Sequence, residues 1–490
     1  MVNGFWAKVN PFSSRRPQPA QPVPLQRPNL AVLAKQPQQL PDFVKACPVA
    51  QKYLKLLGDL DWANFPERPT NRPWPGSAPQ PRAPYVAAYL VKLHEDKRYM
   101  SQLRRFLIEH PALVWLLGFK LLPEPTAPHG FDVEASVPSR KQLGRVLRDL
   151  PNEAAQFLLS STVQLIKAEL PPELNFGKEI SLDTRLVQAW VKENNPKAYL
   201  KTGERLDKER QPKGDRTCKL GCKKRANQPP EQQALETQSP PKKKRQTNFS
   251  AVDLYYWGYG SGLVATKLLD WGEFVLAELT QTFEHGDPTY FFPLMADTEQ
   301  RLGFKPPFGA LDCAFDAWYV FDYFDAAGGF AAVPLGERGL KDPQFSPEGL
   351  PHCQAGLPMP LKSTFTNNRG LLPQKVGNYV CPLLYPEATA SACPIDHEKW
   401  ATGGCLLKMG VSPGARLRYQ LDRESPEYQK VYNQRTATER INALAGELGI
   451  EHPKLRNGRA IANQNTLTYV LLNLRALQRL RAKKAKAASA

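Results

Sequence analysis

Three acidic residues lie where they could act together on a substrate. Asp183 ends the short apolar run Glu179–Asp183, and Asp312 ends the run Phe308–Asp312. Both runs predict strands, and the active groups of open α/β sheets gather beyond the carboxyl ends of strands. Glu439 lies on the polar side of a predicted helix. Carboxylates from three separate elements could therefore meet at one edge of a sheet.

Carboxylates that converge in this way repel one another unless cations neutralise them. Mg²⁺ is a hard ion that prefers such oxygen ligands, and Mn²⁺ suits the same ligands. Two ions about 4 Å apart can activate an attacking water or 3′-hydroxyl and stabilise the leaving oxygen of a phosphodiester. We therefore expect Asp183, Asp312 and Glu439 to be both catalytic residues and metal ligands.

Other acids compete for these roles. Asp316 could be the second acid instead of Asp312, but it better fits an N-cap of the aromatic helix Trp318–Phe324. Asp287 precedes a proline, which is typical of a helix start, so we interpret it as a cap. Asp270 fits a turn.

The helix that carries Glu439 is predicted to run from Pro426 to Leu448, with Gly449 just beyond its end. Its apolar positions share one stripe, and these are Ala437, Ile441, Leu444 and Leu448. Tyr432 and Arg435 fall with Glu439 on the opposite stripe.

That polar stripe suits DNA. Arg435 could pair with a phosphate, Tyr432 could donate a hydrogen bond or stack on a displaced base, and Arg440 adds a second cation. The alternative is an ordinary surface Arg–Glu pair, which contributes only about 0.2–0.5 kcal/mol.

Composition points to a polyanionic partner. The 490 residues carry a net charge of +18, which favours nucleic acid as the partner. No apolar run approaches the roughly 20 residues that span a membrane, and the first residues lack an apolar signal core. Eight scattered cysteines favour a reducing, cytoplasmic setting.

The pattern changes along the chain and predicts a series of segments. Residues 84–172 predict a helical DNA-binding domain with basic faces that include Arg104 and Arg105. The other predicted segments are a largely disordered Pro-rich basic arm at 1–83, the first part of an α/β core at 176–336 with a basic disordered insertion at 201–248, a β-rich or loop-rich insertion at 337–425, the second part of the core at 426–480 and a basic tail at 481–490.

Four cysteines in the second insertion could hold a structural Zn²⁺. They are Cys353, Cys381, Cys393 and Cys405. Because no two of them form a close Cys-x-x-Cys pair, the spacing assigns no zinc ligand and leaves the question open.

The motifs described above resemble those of the DDE transposases of bacterial insertion sequences. The resemblance rests on the Asp…Asp…Glu order, on three predicted strands between the two aspartates, and on Tyr432, Arg435 and Glu439 at offsets of three and four. The segments YNQRTATERINALAGELGI and GALDCAFDAWYVFDYF are similar to that family, and the likeness covers roughly residues 176 to 480.

The resemblance implies a ribonuclease H-like mixed sheet flanked by helices, with an insertion before the catalytic Glu helix. It also implies Mg²⁺-dependent cleavage at transposon ends, strand transfer into target DNA, and a homodimer or larger synaptic complex in the bacterial cytoplasm, on the nucleoid. The family often has Lys seven residues after the Glu, where this chain has Gly446. A metal-dependent nuclease without strand transfer, or an inactive DNA-binding relative, remains an alternative.

Overall fold

The computed structural model describes residues 29–68, 80–195, 197–198, 200, 202–223, 254–336 and 343–489. The chain divides into two compact units, Met1–Leu147 and Arg148–Ala490. Parts of the predicted arm and basic insertion, at 1–28, 69–79 and 224–253, lie outside the described residues. Among the described helices, none is both long and apolar enough to cross a membrane.

The first unit is mainly helical in its described residues. Its elements are α1 (Leu30–Lys35), α2 (Asp42–Lys45), α3 (Pro48–Leu57), α4 (Ala83–His94), α5 (Met100–Glu109), α6 (Pro111–Leu117), β1 (Leu122–Pro123), β2 (Phe131–Asp132), α7 (Val133–Ser136) and α8 (Arg140–Asp149), the last of which continues into the second unit. The prediction of a largely disordered arm is wrong for residues 29–68. Tyr53 and Leu57 are fully buried because α3 presents its apolar residues at helical spacing.

The second unit is built on a sheet. Its elements are α9 (Asn152–Glu169), β3 (Glu179–Gln188), α10 (Thr202–Arg205), β4 (Lys219–Lys223), β5 (Leu254–Leu268), β6 (Gly272–Thr282), α11 (Phe291–Leu302), β7 (Phe308–Ala310), α12 (Trp318–Asp325), β8 (Phe330–Ala332), β9 (Leu361–Asn367), β10 (Gln374–Val380), β11 (Leu406–Gly410), α13 (Pro413–Gln420), α14 (Pro426–Tyr432), α15 (Arg435–Glu447) and α16 (Gly458–Ser489).

The main sheet has the spatial order β6-β5-β3-β7-β8, and β4 extends the β6 side of β5. Strand β5 runs antiparallel to β3 and β6, whereas β3, β7 and β8 are parallel. The predicted mixed α/β class is confirmed at this level. Strand β4 and helix α10 also correct the prediction that residues 201–248 are disordered throughout.

Helix α16 packs against α9 and β6 in the second unit. The Asn473 side chain accepts from the Val275 amide and donates to the Val275 carbonyl and the Thr162 hydroxyl, each at 2.9 Å, which ties α16 to β6 and α9. Helix α9, which we assigned to the domain at 84–172, therefore packs in the second unit. The predicted basic tail is also a continuation of α16, through Ser489.

Residues 343–425 of the predicted insertion contain a separate antiparallel sheet, in the order β11-β10-β9. The chain then returns to the main sheet through α13, α14 and α15.

The predicted single helix from Pro426 to Leu448 is two helices. The Ser425 hydroxyl caps α14, which ends at Tyr432, and α15 begins at Arg435. The buried side of α15 is also displaced from the predicted stripe. Its buried residues are Ala437, Thr438, Ile441 and Ala445. Leu444 is instead 36% exposed.

Candidate active site

Helix α15 lies along one face of β3. Near its start the Gln434 amide donates to the Glu179 carboxylate at 2.7 Å, and further along the Asn442 amide donates to Asp183 at 2.9 Å. Glu179 and Asp183 face the same side because alternate residues of a strand share a face. The four-residue advance on β3, about 13 Å, matches the eight-residue advance on α15, about 12 Å. The helix and the strand therefore run in parallel.

Asp183 is held by a hydrogen bond to each carboxylate oxygen. The Thr184 backbone amide donates to Oδ1 and Asn442 Nδ2 donates to Oδ2, both at 2.9 Å. These two bonds fix the orientation of the carboxylate on β3.

Asp312 lies beside Asp183 because of the parallel register of β3 and β7. Ser181 pairs with Ala310. Because the strands are parallel, the residues two positions later, Asp183 and Asp312, are also neighbours. Adjacent strands lie about 4.8 Å apart. Gly309 allows α12 to pack closely on β7, since a Cβ there would be 2.1 Å from the Phe324 ring. Asp312 also caps the turn that follows, accepting from the Ala314 amide at 3.0 Å.

Both carboxyl groups have raised pKa values. Burial, with a smaller contribution from the nearby charge of Asp312, raises the pKa of Asp183 to about 6. Burial and the charge of Asp287 raise the pKa of Asp312. Arg435 opposes both effects, because its positive charge lowers the two pKa values. Groups with such perturbed pKa values in one place are candidates for a functional site.

Asp287 is a member of this cluster that the sequence did not reveal. It accepts a hydrogen bond from the Thr184 hydroxyl at 2.7 Å, and its charge raises the pKa of Asp183. The expectation of a helix cap is wrong, since Gly286 is the N-cap of the 3₁₀ turn Asp287–Tyr290. The Asp-Pro pair had a sufficient local explanation, so nothing in the sequence pointed to the contact.

Arg435 contacts both Tyr432 and Glu439, and its charge also acts on Asp183 and Asp312. Its guanidinium donates to the Tyr432 hydroxyl at 2.8 Å and lies 3.7 Å from the Glu439 carboxylate. The Tyr432 ring in turn stacks on Tyr428.

Glu439 shares a helix with Asn442, the residue that contacts Asp183. Arg435, Glu439, Asn442 and Gly446 are separated by four, three and four residues, which places them on one stripe. Glu439 is therefore about 4.5 Å along the axis from the residue that contacts Asp183. Its side chain is 58% exposed and pairs with Arg435. The structure thus brings Asp183 and Asp312 together, whereas Glu439 pairs with Arg435 and, among the described residues, forms no three-acid group with them.

Gly446 lies under an arginine. A Cβ at this position would be 2.8 Å from Nη2 of Arg185, whose guanidinium also pairs with Glu451 at 2.9 Å. A cation from β3 therefore covers the position at which the DDE transposase family often has lysine.

The remaining predicted DNA contacts are paired with carboxylates. Arg440 pairs with Glu273 at 2.6 Å, near the start of β6. In the first unit, Arg104 pairs with Glu134 at 3.2 Å and Arg105 with Glu109 at 2.9 Å. All three side chains carry a carboxylate partner.

Asp316 has a structural role. Its carboxylate, with a side chain only 3% exposed, pairs with Arg418 and accepts from the Gly336 amide at 2.7 Å. It caps no α-helix, since Ala317 is the N-cap of α12. The preference for Asp312 as the second acid agrees with this engagement of Asp316.

The metal expectations can be compared with the side chains present. Within the described ranges, no group of three or more His, Cys, Asp or Glu side chains is arranged to hold a metal ion. The thiols of Cys381 and Cys353 are near Cys405, whose pKa burial and these neighbours raise to about 12. At the acidic cluster the donors are of the type that Mg²⁺ prefers, and the buried Oδ1 of Asn442 has no hydrogen-bond partner. Glu439 would complete such a set only after leaving Arg435.

No protein-family model and no curated protein sequence matches this chain.

Proposed function

We propose that this protein is a DDE transposase with a ribonuclease H-like core. In this proposal it cleaves DNA at transposon ends and transfers the freed 3′-hydroxyl to target DNA. The observation that supports it most is the parallel register of β3 and β7, which sets Asp183 beside Asp312. Helix α15 lies along the same strand with Arg435 and Glu439 on the adjacent stripe. The mixed strand order with β5 antiparallel agrees with that fold.

Asp183 and Asp312 would hold the Mg²⁺ ions, and Glu439 would join them. When bound, the ions supply charge neutralisation and activation of the attacking oxygen. The chain's own contribution is orientation. Thr184 and Asn442 fix the Asp183 carboxylate, and the cap at Ala314 fixes Asp312.

Arg435 would bind a DNA phosphate and release Glu439 as it does so. Its pair with Glu439 spans 3.7 Å between side chains that are 28% and 58% exposed. Such a partly exposed pair contributes about 0.3–0.5 kcal/mol, whereas a charge-assisted bond to phosphate is stronger. DNA binding and completion of the acidic set are therefore coupled in this scheme.

Tyr432 and the basic residues of the chain would complete the DNA contacts. The net charge of +18 supports binding to a polyanion. Arg440, Arg104 and Arg105 would have to exchange their carboxylate partners for phosphates. A homodimer or larger synaptic complex would pair two DNA ends, and the protein would act in the bacterial cytoplasm on the nucleoid.

The test uses purified protein and labelled DNA carrying the segments that flank its coding sequence. We expect cleaved ends and products joined to a second DNA in Mg²⁺ or Mn²⁺, and neither product in EDTA. Asp183→Asn, Asp312→Asn and Glu439→Gln should abolish both steps while retaining DNA binding. Equal activity of these variants and the unmodified protein would refute the proposal.

The same experiment separates the alternatives. Cleavage without joined products would favour a metal-dependent nuclease. DNA binding without any cleavage would favour a catalytically inactive relative, which is the alternative that the exposed, paired state of Glu439 supports.

A further inference from the structure

Asn442 is the residue of α15 that contacts the first acid directly. Its Nδ2 donates to Oδ2 of Asp183 at 2.9 Å. An ionised carboxylate only accepts hydrogen bonds, so the amide nitrogen must face Asp183 and the amide oxygen must point elsewhere. That oxygen, Oδ1, is buried and has no hydrogen-bond partner among the described residues.

The contact is part of a continuous alignment. Eight residues before Asn442, Gln434 donates a hydrogen bond to Glu179. One turn after Asn442, the Arg185 guanidinium covers Gly446. Asn442 is therefore held opposite Asp183 by contacts on both sides. Asparagine is a poor residue for a helix interior, and a buried acceptor without a partner is destabilising. Packing alone does not account for an amide at this position.

We propose that Asn442 is a positioning residue of the acidic site, where it orients the Asp183 carboxylate for a divalent ion and leaves its Oδ1 to accept from water that hydrates the ion. This inference rests on the proposed function, because the ion belongs to that function. It adds a role on the α15 stripe, between Glu439 and Gly446, that none of the acids supplies.

The first experiment measures Mn²⁺ binding to the full chain by electron paramagnetic resonance, without DNA. Asn442→Leu keeps the approximate volume and removes both polar atoms. We expect Mn²⁺ affinity to fall by about 10–100-fold, the usual effect of removing the partner that orients a metal ligand. Asn433→Leu, the same change at an exposed residue between α14 and α15, should leave the affinity unchanged.

Asn442→Asp provides a second variant that does not depend on how Asn442→Leu folds. It places another carboxylate beside Asp183. The two acids should repel each other in the absence of metal and should both bind the ion when metal is present. We expect a higher Mn²⁺ affinity than that of the unmodified protein, and therefore a larger rise in melting temperature when Mn²⁺ is added. An affinity tenfold lower than that of the unmodified protein would overturn the proposal.

Strand-transfer assays give a readout that a purely structural role would not change. For Asn442→Leu, the Mg²⁺ concentration at half-maximal rate should rise about 10–100-fold, while the rate at saturating Mg²⁺ should recover. A lowered rate at every Mg²⁺ concentration, with no change in the half-maximal concentration, would contradict a positioning role.

The results also separate this inference from the proposed function. If the unmodified protein binds Mn²⁺, Asp183→Asn does not, and Asn442→Leu binds normally, the role of Asn442 is refuted and the metal site stands. If the unmodified protein binds no Mn²⁺, the metal-dependent function fails and the role of Asn442 fails with it.

Discussion

The Asp183 carboxylate should destabilise the metal-free protein at neutral pH. Its pKa rises from 3.8 to about 6, chiefly through burial. The folded protein therefore binds a proton between about pH 4 and pH 6 that the unfolded chain has already released. Stability falls wherever the folded state binds more protons, so the free energy of unfolding should decrease as the pH rises through this window.

The substitution Asp183→Asn removes that effect. A pKa change from 3.8 to about 6 corresponds to roughly 3 kcal/mol at pH 7, since each unit is about 1.4 kcal/mol. The Nδ2 of the new amide cannot accept a hydrogen bond, so one of the two bonds that Asp183 accepts is lost. This loss costs about 1 kcal/mol unless Asn442 turns its free Oδ1 toward the new amide. We therefore expect the variant to be about 2 kcal/mol more stable at pH 7 and, because only the hydrogen-bond cost remains there, about 1 kcal/mol less stable below about pH 4.

Urea denaturation in EDTA, followed by tryptophan fluorescence at several pH values, measures this difference. Asp325→Asn, at an exposed acid that ends α12, is the control and should change stability by less than about 0.5 kcal/mol. A stability gain of the same size at about pH 4 and at about pH 7 would refute the reasoning, because it would not arise from ionisation of Asp183.

Three further substitutions test the positions of nearby groups. Arg418→Ala leaves the buried Asp316 charge without its cation, and urea denaturation should detect a loss of about 3–5 kcal/mol; a loss under about 1 kcal/mol would contradict this. Gly309→Ala drives a methyl group to 2.1 Å from Phe324, so thermal denaturation should show a loss of about 1–3 kcal/mol; an unchanged melting temperature would mean that the sheet adapts. Arg435→Gln should reduce the slope of log affinity for DNA against log salt by about 1, and a slope equal to that of the unmodified protein would exclude a phosphate contact.

Local patterns were sufficient to predict the strands that carry the acids. The apolar runs that end at Asp183 and Asp312 correspond to β3 and β7, because a run of apolar residues fits a buried strand whatever its neighbours are. The relative register of the two strands could not be predicted in the same way, because it depends on which strands pair and not on either run alone.

The unpredicted parts of the site are contacts between distant residues. Asp287 meets Thr184 across 103 positions, and Asn442 meets Asp183 across 259. Each residue also had an adequate local interpretation, as a helix cap or as a polar helix residue. The division of the predicted helix at Asn433 was missed for a related reason, since neither proline nor glycine marks the junction.

The bond between Thr162 and Asn473 joins residues 311 positions apart, across α9 and α16. A ribosome adds about 5–20 residues each second, so β3 leaves the exit tunnel many seconds before α15 and α16 have been made. During that interval Asp183 has neither the Asn442 amide nor the surrounding helices. Chains whose synthesis stops early would therefore contain the first acid and the basic N-terminal unit without an assembled acidic cluster. Such products could bind DNA through the first unit but could not cleave it, because the acidic cluster would be incomplete.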